Sequence, residues 1–126
     1  MDARGYLMSK KATRDKSIMQ EKMFAEYIDG RVNPNSGATW HTKGDVMDAY
    51  TLFECKTHMA PRQSHSIKRD ELKKNEREAL GERKQFSAYV FDFGDTTIPE
   101  TYVVLPAKDF KELYDCYKEQ VEEDYE

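Results

Sequence analysis

Residues 44–57 read Gly44-Asp45-Val46-Met47-Asp48-Ala49-Tyr50-Thr51-Leu52-Phe53-Glu54-Cys55-Lys56-Thr57, and their reading decides the fold. Residues 50–57 open on the apolar run Tyr50-Thr51-Leu52-Phe53, rich in the aromatic and β-branched types that suit a pleated surface, so they are expected to form a strand. On a strand, positions i and i+2 point to the same side. Glu54 and Lys56 therefore share one face, while Phe53 and Cys55 turn to the other. Asp45, from an adjacent turn or strand, can then bring a second carboxylate toward Glu54 and the Lys56 ammonium. Two carboxylates and an ammonium around one divalent cation are the least equipment that metal-assisted phosphodiester hydrolysis needs.

Composition narrows the class. A chain of 126 residues fits one domain with one core. With 38% hydrophobic and 35% charged residues, that core should be small and the surface heavily charged, while 12% aromatics argue against wholesale disorder. No apolar run approaches a membrane span and no signal-peptide pattern opens the chain. Cys55 and Cys116 lack motif spacing and are expected to be free thiols in a reducing cytoplasm, Cys55 as a small core residue. The net charge of −4 hides a strong asymmetry. Residues 1–16 carry five basic and two acidic groups, residues 62–84 eight and five, and residues 109–126 two and eight. The acidity is thus concentrated at the C-terminus, and such asymmetry matters more for partners than the total.

Working outward, residues 1–16 lack periodicity and read as a basic, poorly ordered arm. Ser17 to Gln20 fits a capping box, and Ile18, Met23, Ala25, Tyr27 and Ile28 suggest a helix over about 18–28, stopped at Gly30. Asn33-Pro34-Asn35-Ser36-Gly37 is turn chemistry, with short strands expected at Arg31-Val32 and Thr39-Trp40. Ser66 looks like an N-cap for a highly charged helix over about 67–80, ended by Gly81. Ser87–Phe93 and Thr101–Leu105 are the next strands. The clearest helix carries Phe110, Leu113, Tyr114, Tyr117 and Val121 at helical spacing, with Tyr114 and Tyr117 expected in the core. Glu119–Glu126 reads as a disordered acidic tail. The expected order is α-β-β-β-α-β-β-α, a single mixed α/β domain without internal repeat or linker.

This order, Asp45 and the Glu54-Cys55-Lys56 triplet resemble the PD-(D/E)xK nuclease superfamily, the restriction-endonuclease-like fold, and within it the small Holliday-junction resolvases. The likeness covers roughly residues 17–105. In that family a helix bearing a Glu precedes a three-stranded meander holding the Asp and the Glu-x-Lys, and a helix and further strands follow. Here Gly44 stands at the family's Pro position, where the Pro is often absent. Glu21 matches the helix acid, with Glu26 as its competitor and Asp48 as a further acid near the strand. The Ser36-Gly37 turn and Lys43 also look like the resolvase pattern.

The resemblance implies a metal-dependent DNA endonuclease. Mg²⁺, with Mn²⁺ able to substitute, would be held by Asp45, Glu54 and the Cys55 backbone carbonyl, with Glu21 on a second ion or its water shell. Lys56 would orient the attacking water or stabilise charge on the phosphate. The carboxylates beside it favour its charged form, so positioning and charge stabilisation suit it better than general base work. Ser36, Lys43, Arg62, Lys68, Arg69, Lys73 and Lys74 would meet DNA, with Lys68 and Arg69 near a helix N-terminus that favours phosphate. Branched DNA, a four-way junction above all, is the expected substrate, and symmetric cutting implies a homodimer. Flap, nicked or duplex DNA, a noncatalytic DNA-binding module and a protein adaptor are the competing readings. His41, His58 and His65 match no zinc spacing and read as polar loop residues, and Trp40 as partial core.

Overall fold

The computed structural model describes residues 3–34 and 44–125. In chain order these form α1 (Ala3–Tyr27), β1 (Arg31–Val32), β2 (Val46–Met47), β3 (Thr51–Lys56), α2 (Arg69–Gly81) and β4 (Phe86–Phe91). A 3-10 turn (Ile98–Glu100), β5 (Tyr102–Val104) and α3 (Ala107–Asp124) complete the chain. The result is an α/β protein with a five-stranded mixed sheet, ordered β1-β2-β3-β4-β5. Strands β1, β2 and β3 form an antiparallel meander, β3 and β4 run parallel, and β5 returns antiparallel to β4. A parallel neighbour needs a crossover, and α2 supplies it between β3 and β4.

The two faces of β3 are sorted by parity. Phe53 and Cys55 face α1, where Phe24 and Ala25 pack with Val46, Phe53, Ala88 and Val90. Phe24 meets Phe53 edge-on at 5.1 Å between ring centroids. Leu52 faces α2 and packs with Met47 and Ala79. Asn75 of α2, also buried, donates from Nδ2 to the Ala88 carbonyl at 2.9 Å and thereby ties the crossover helix to β4.

Several local expectations are corrected. Helix α1 is continuous from Ala3, so residues 3–16 are helical rather than a disordered arm, and Ser17 lies within the helix instead of capping it. Apart from Gly5 these residues include good helix formers, and Lys16 is fixed by hydrogen bonds to the His58 and Gly94 carbonyls. The buried stripe of α1 is Gln20, Glu21, Phe24 and Ala25, while Ile18 and Tyr27 are exposed. Polar side chains at the centre of that stripe disguise its periodicity. The second strand lies at Val46–Met47, immediately after Asp45, whereas Thr39 and Trp40 fall outside the described residues. Its hairpin is closed by Asp48, whose Oδ1 accepts the Tyr50 and Thr51 N–H groups at 2.8 Å each, an Asx turn. Helix α2 begins at Arg69, with Lys68 rather than Ser66 at the N-cap position.

Helix α3 departs furthest from expectation. Its apolar stripe is exposed, with Tyr114 and Tyr117 at 47% and 65%, and the acidic segment continues it as helix to Asp124. The stripe is amphipathic in sequence, but among the described residues no element packs along it. Among the described residues no helix is long and apolar enough to cross a membrane.

Candidate metal centre

The centre begins with a backbone constraint. Gly44 has φ +69°, and a Cβ there would lie 2.4 and 2.6 Å from two Leu52 side-chain carbons. Proline, locked near −65°, cannot adopt that angle. Glycine before Asp45 therefore follows from the local geometry. The Asp45 N–H donates to the Phe53 carbonyl at 2.9 Å, and its own carbonyl accepts the Asn33 N–H at 2.9 Å. The aspartate backbone is thus held from both sides of the meander. Its carboxylate Oδ2 accepts the Cys55 N–H at 2.8 Å, which ties the acid to the middle of the Glu54-Cys55-Lys56 triplet.

Glu21, Asp45, Glu54, Cys55 and Lys56 line one open cleft of about 660 Å³, together with Arg14, Ser17 and Thr57. The acids come from α1, from the residue before β2 and from β3. Glu26 is exposed, and the Asp48 carboxylate is committed to its turn. Lys56 Nζ lies 3.5 Å from Glu54 Oε1, as expected for neighbours on one strand face. Burial, Asp45 and Glu54 together push the Glu21 carboxyl up to about 7. Burial and Asp45 also push Glu54 up to about 7, against the opposing pull of Lys56 and Lys74. Burial raises the Cys55 thiol well above its usual value, so it remains a neutral thiol.

Crowded, partly buried carboxylates are the environment a cation relieves. Among the described residues no three His, Cys, Asp or Glu side chains form a ready-made metal cage. Mg²⁺ does not require one, because one or two carboxylates with retained waters suffice. The donor set is hard oxygen, suited to Mg²⁺ or Mn²⁺ rather than to a thiolate-loving ion.

A second layer fixes the end of β3 and has no signature in sequence spacing. Gln20 is fully buried and donates from Nε2 to the Lys56 carbonyl at 2.5 Å. Asp92, also fully buried, accepts the Thr57 hydroxyl at 2.7 Å and the Gly94 N–H at 2.9 Å. The backbone on either side of the Lys56–Thr57 bond is therefore held from two directions. Parallel register sets Glu54 beside Tyr89 and Lys56 beside Phe91. Over that pair lies a hydrogen-bonded row: His58 Nε2 to His65 Nδ1 at 2.7 Å, His65 Nε2 to Tyr89 Oη at 2.7 Å, and Tyr89 Oη to Glu71 Oε2 at 3.4 Å.

Because the tyrosine hydroxyl donates to Glu71, it accepts from His65. The neutral tautomers of both histidines then follow in turn. Burial and His58 lower the His65 pKa, while burial and Glu71 raise that of Tyr89. His65 stacks on Phe91 with centroids 4.6 Å apart. The histidines expected as plain loop residues thus join the loop after β3 to the sheet.

The basic residues divide into two groups. Arg14 lies at the cleft itself. Arg69 and Lys73 instead line a separate cavity of about 280 Å³ between α2 and β5, with Leu72 and Val104. Lys73 pairs with Glu76 at 3.4 Å and Lys74 with Glu78 at 3.8 Å along α2. Arg62 and Lys68 are exposed, and the Arg62 N–H donates to the Phe93 carbonyl at 2.8 Å. Ser36, Lys43 and His41 lie outside the described residues. Comparison of the chain with protein-family models, curated proteins and solved structures gave no match.

Proposed function

We propose that this chain is a Mg²⁺-dependent DNA endonuclease of restriction-endonuclease-like fold that cuts branched DNA in the manner of a Holliday-junction resolvase. The observation that carries the reading is the convergence of Glu21, Asp45, Glu54 and Lys56 on one cleft from three separate parts of the chain. Asp45 and Glu54 would hold the cation beside the Cys55 carbonyl, and Glu21 would hold a second ion or a water. A bound cation would supply charge neutralisation at the phosphate and lower the pKa of a bound water. Lys56 would orient the attacking water and stabilise charge on the phosphate oxygens. Asp45 fixes the Cys55 amide, and Gln20 with Asp92 keeps Lys56 at its station. Arg14 at the cleft is placed to meet a neighbouring phosphate.

A resolvase cuts two symmetry-related strands, so the active form is a homodimer with one cleft per copy. The test is cleavage of a labelled four-way junction beside duplex, flap and single-stranded controls, with Mg²⁺, with Mn²⁺ and with chelator. Paired symmetric nicks are expected from the native chain and none from Asp45→Asn or Lys56→Ala. Equal cutting of plain duplex would sink the junction assignment and keep the nuclease. No cutting under any metal condition would sink both.

A further inference from the structure

Helix α2 and strands β4 and β5 border a second cavity, apart from the metal cleft. Leu72, Ala88, Val104 and Leu105 give it apolar walls, and its volume is about 280 Å³. Asn75 stands in the same lining and is only 3% exposed. Its Nδ2 donates to the Ala88 carbonyl at 2.9 Å and to the Leu52 carbonyl at 3.4 Å, and two carbonyls on one side fix the orientation of the amide. Oδ1 is left over, and among the described residues that atom has no hydrogen-bond partner. A buried acceptor left unpaired is costly, so it calls for an occupant that donates. One ordered water would satisfy the atom but fill only about a tenth of the space, and apolar walls hold further water poorly.

The border of the cavity is charged. Arg69 and Lys73 are exposed there, with Glu76 beside them. Lys73 shares its charge with Glu76 at 3.4 Å, whereas Arg69 forms no ion pair among the described residues. Arg69 and Asn75 are six positions apart on α2, a rise of about 9 Å. The cavity thus combines a buried acceptor, apolar walls and, a turn and a half away, an available cation. We propose that it binds a nucleotide, with the base between the apolar walls, a base amino group donating to Asn75 Oδ1 and the phosphate on Arg69.

A nucleotide joins a flat ring, an amino donor and a strong anion in one molecule, and a planar guanidinium takes phosphate through two parallel hydrogen bonds. The volume lies at the small end of ligand pockets and suits a base rather than a larger cofactor. A free mononucleotide and an unstacked nucleotide of a single strand offer the same chemistry. The cavity is separate from the metal cleft, so this binding stands whether or not the chain cuts DNA.

NMR titration of the full chain with adenosine monophosphate tests it, in chelator so that no cation draws the phosphate to the cleft. Saturable shifts of the Asn75, Ser87 and Ala107 amides are expected. Purine riboside monophosphate, which lacks only the amino group, should bind about fivefold more weakly. Arg69→Glu, at an exposed position in the first turn of α2 where an acid is tolerated, should weaken binding about tenfold or more. Leu72→Trp should fill the cavity and abolish the shifts, and circular dichroism checks the fold of both variants. A native chain without saturable shifts, or with shifts confined to Asp45, Glu54 and their neighbours, overturns the proposal. Equal affinity for the two nucleotides overturns the Asn75 contact, and indifference to Arg69→Glu overturns the phosphate contact. Competition by an adenine-bearing single strand and by intact duplex separates the two sources. Displacement by the single strand alone assigns the cavity to a nucleotide within a strand. Retention, or equal displacement by duplex, assigns it to the free nucleotide.

Discussion

Replacing Glu21 by Gln should stabilise the metal-free protein at pH 8 and leave it little changed at pH 5. Glu21 has a folded-state pKa of about 7 against an ordinary value of 4.5. Between those pH values the unfolded chain has released its proton and the folded chain still holds it. The folded state then binds more protons, so stability falls as pH rises from about 4.5 through 7. A gap of about 2.5 pH units corresponds to about 3 kcal/mol at pH 8, and to less than about 1 kcal/mol at pH 5.

Glutamine keeps the shape and removes the charge. Water at the mouth of the cleft screens part of the effect, so the expected gain at pH 8 is about 2 kcal/mol. For a chain of this size that raises the melting temperature by about 6–10 °C. Added Mg²⁺ should narrow the difference. Binding at a hundredfold excess over Kd stabilises the native chain by about 2.7 kcal/mol, and the variant, lacking one carboxylate, should gain less. Thermal and urea unfolding of both proteins at pH 5 and pH 8, with and without Mg²⁺, is the assay. Parallel pH profiles in the metal-free state would refute the claim that Asp45, Glu54 and burial destabilise a charged Glu21.

Three further outcomes follow from named contacts. Gly44→Ala should cost about 1–3 kcal/mol, because φ +69° and the contact with buried Leu52 both oppose a Cβ, and Mg²⁺ binding should weaken as Asp45 shifts; urea denaturation and metal titration measure the two effects. Asp92→Ala removes the acceptor that the part-buried Thr57 hydroxyl and Gly94 N–H share, leaving Thr57 only the Thr96 hydroxyl, so a loss of about 1–2 kcal/mol is expected in denaturant melts, with cleavage falling more than DNA affinity. Arg14→Ala should weaken junction binding uniformly across sequences and reduce the slope of log affinity against log salt by about 1, read by titration at several salt concentrations.

Much of the architecture was legible because its signals are local. Residues 51–56 announce a strand by composition, and parity alone predicts that Glu54 and Lys56 share a face, as their 3.5 Å approach shows. The strand at Phe86–Phe91 and the helix α3 were legible for the same reason. Strand β2 was not, since two residues carry too little propensity, and its existence rests on the ladder to Leu52 and Phe53. The sequence shows helix α1 too short and its buried face only in part (Ala25 and Ile28), because the centre of that face is Gln20 and Glu21. Hydropathy cannot separate polar residues held in a site from polar residues in solvent.

By itself, then, the sequence determined the strands at residues 51–56 and 86–91, the face shared by Glu54 and Lys56, and the amphipathic stripe of α3, since each depends on residues within a few positions of one another. Tertiary structure alone decided that Glu21 rather than Glu26 enters the cleft, that Asp48 serves its turn and that His58, His65 and Tyr89 form one row. It also decided that Phe110, Leu113, Tyr114 and Tyr117 of the α3 stripe are exposed rather than in the core. Those outcomes depend on strand register and on helix placement against the sheet, which bring together residues up to dozens of positions apart and leave no periodicity to read.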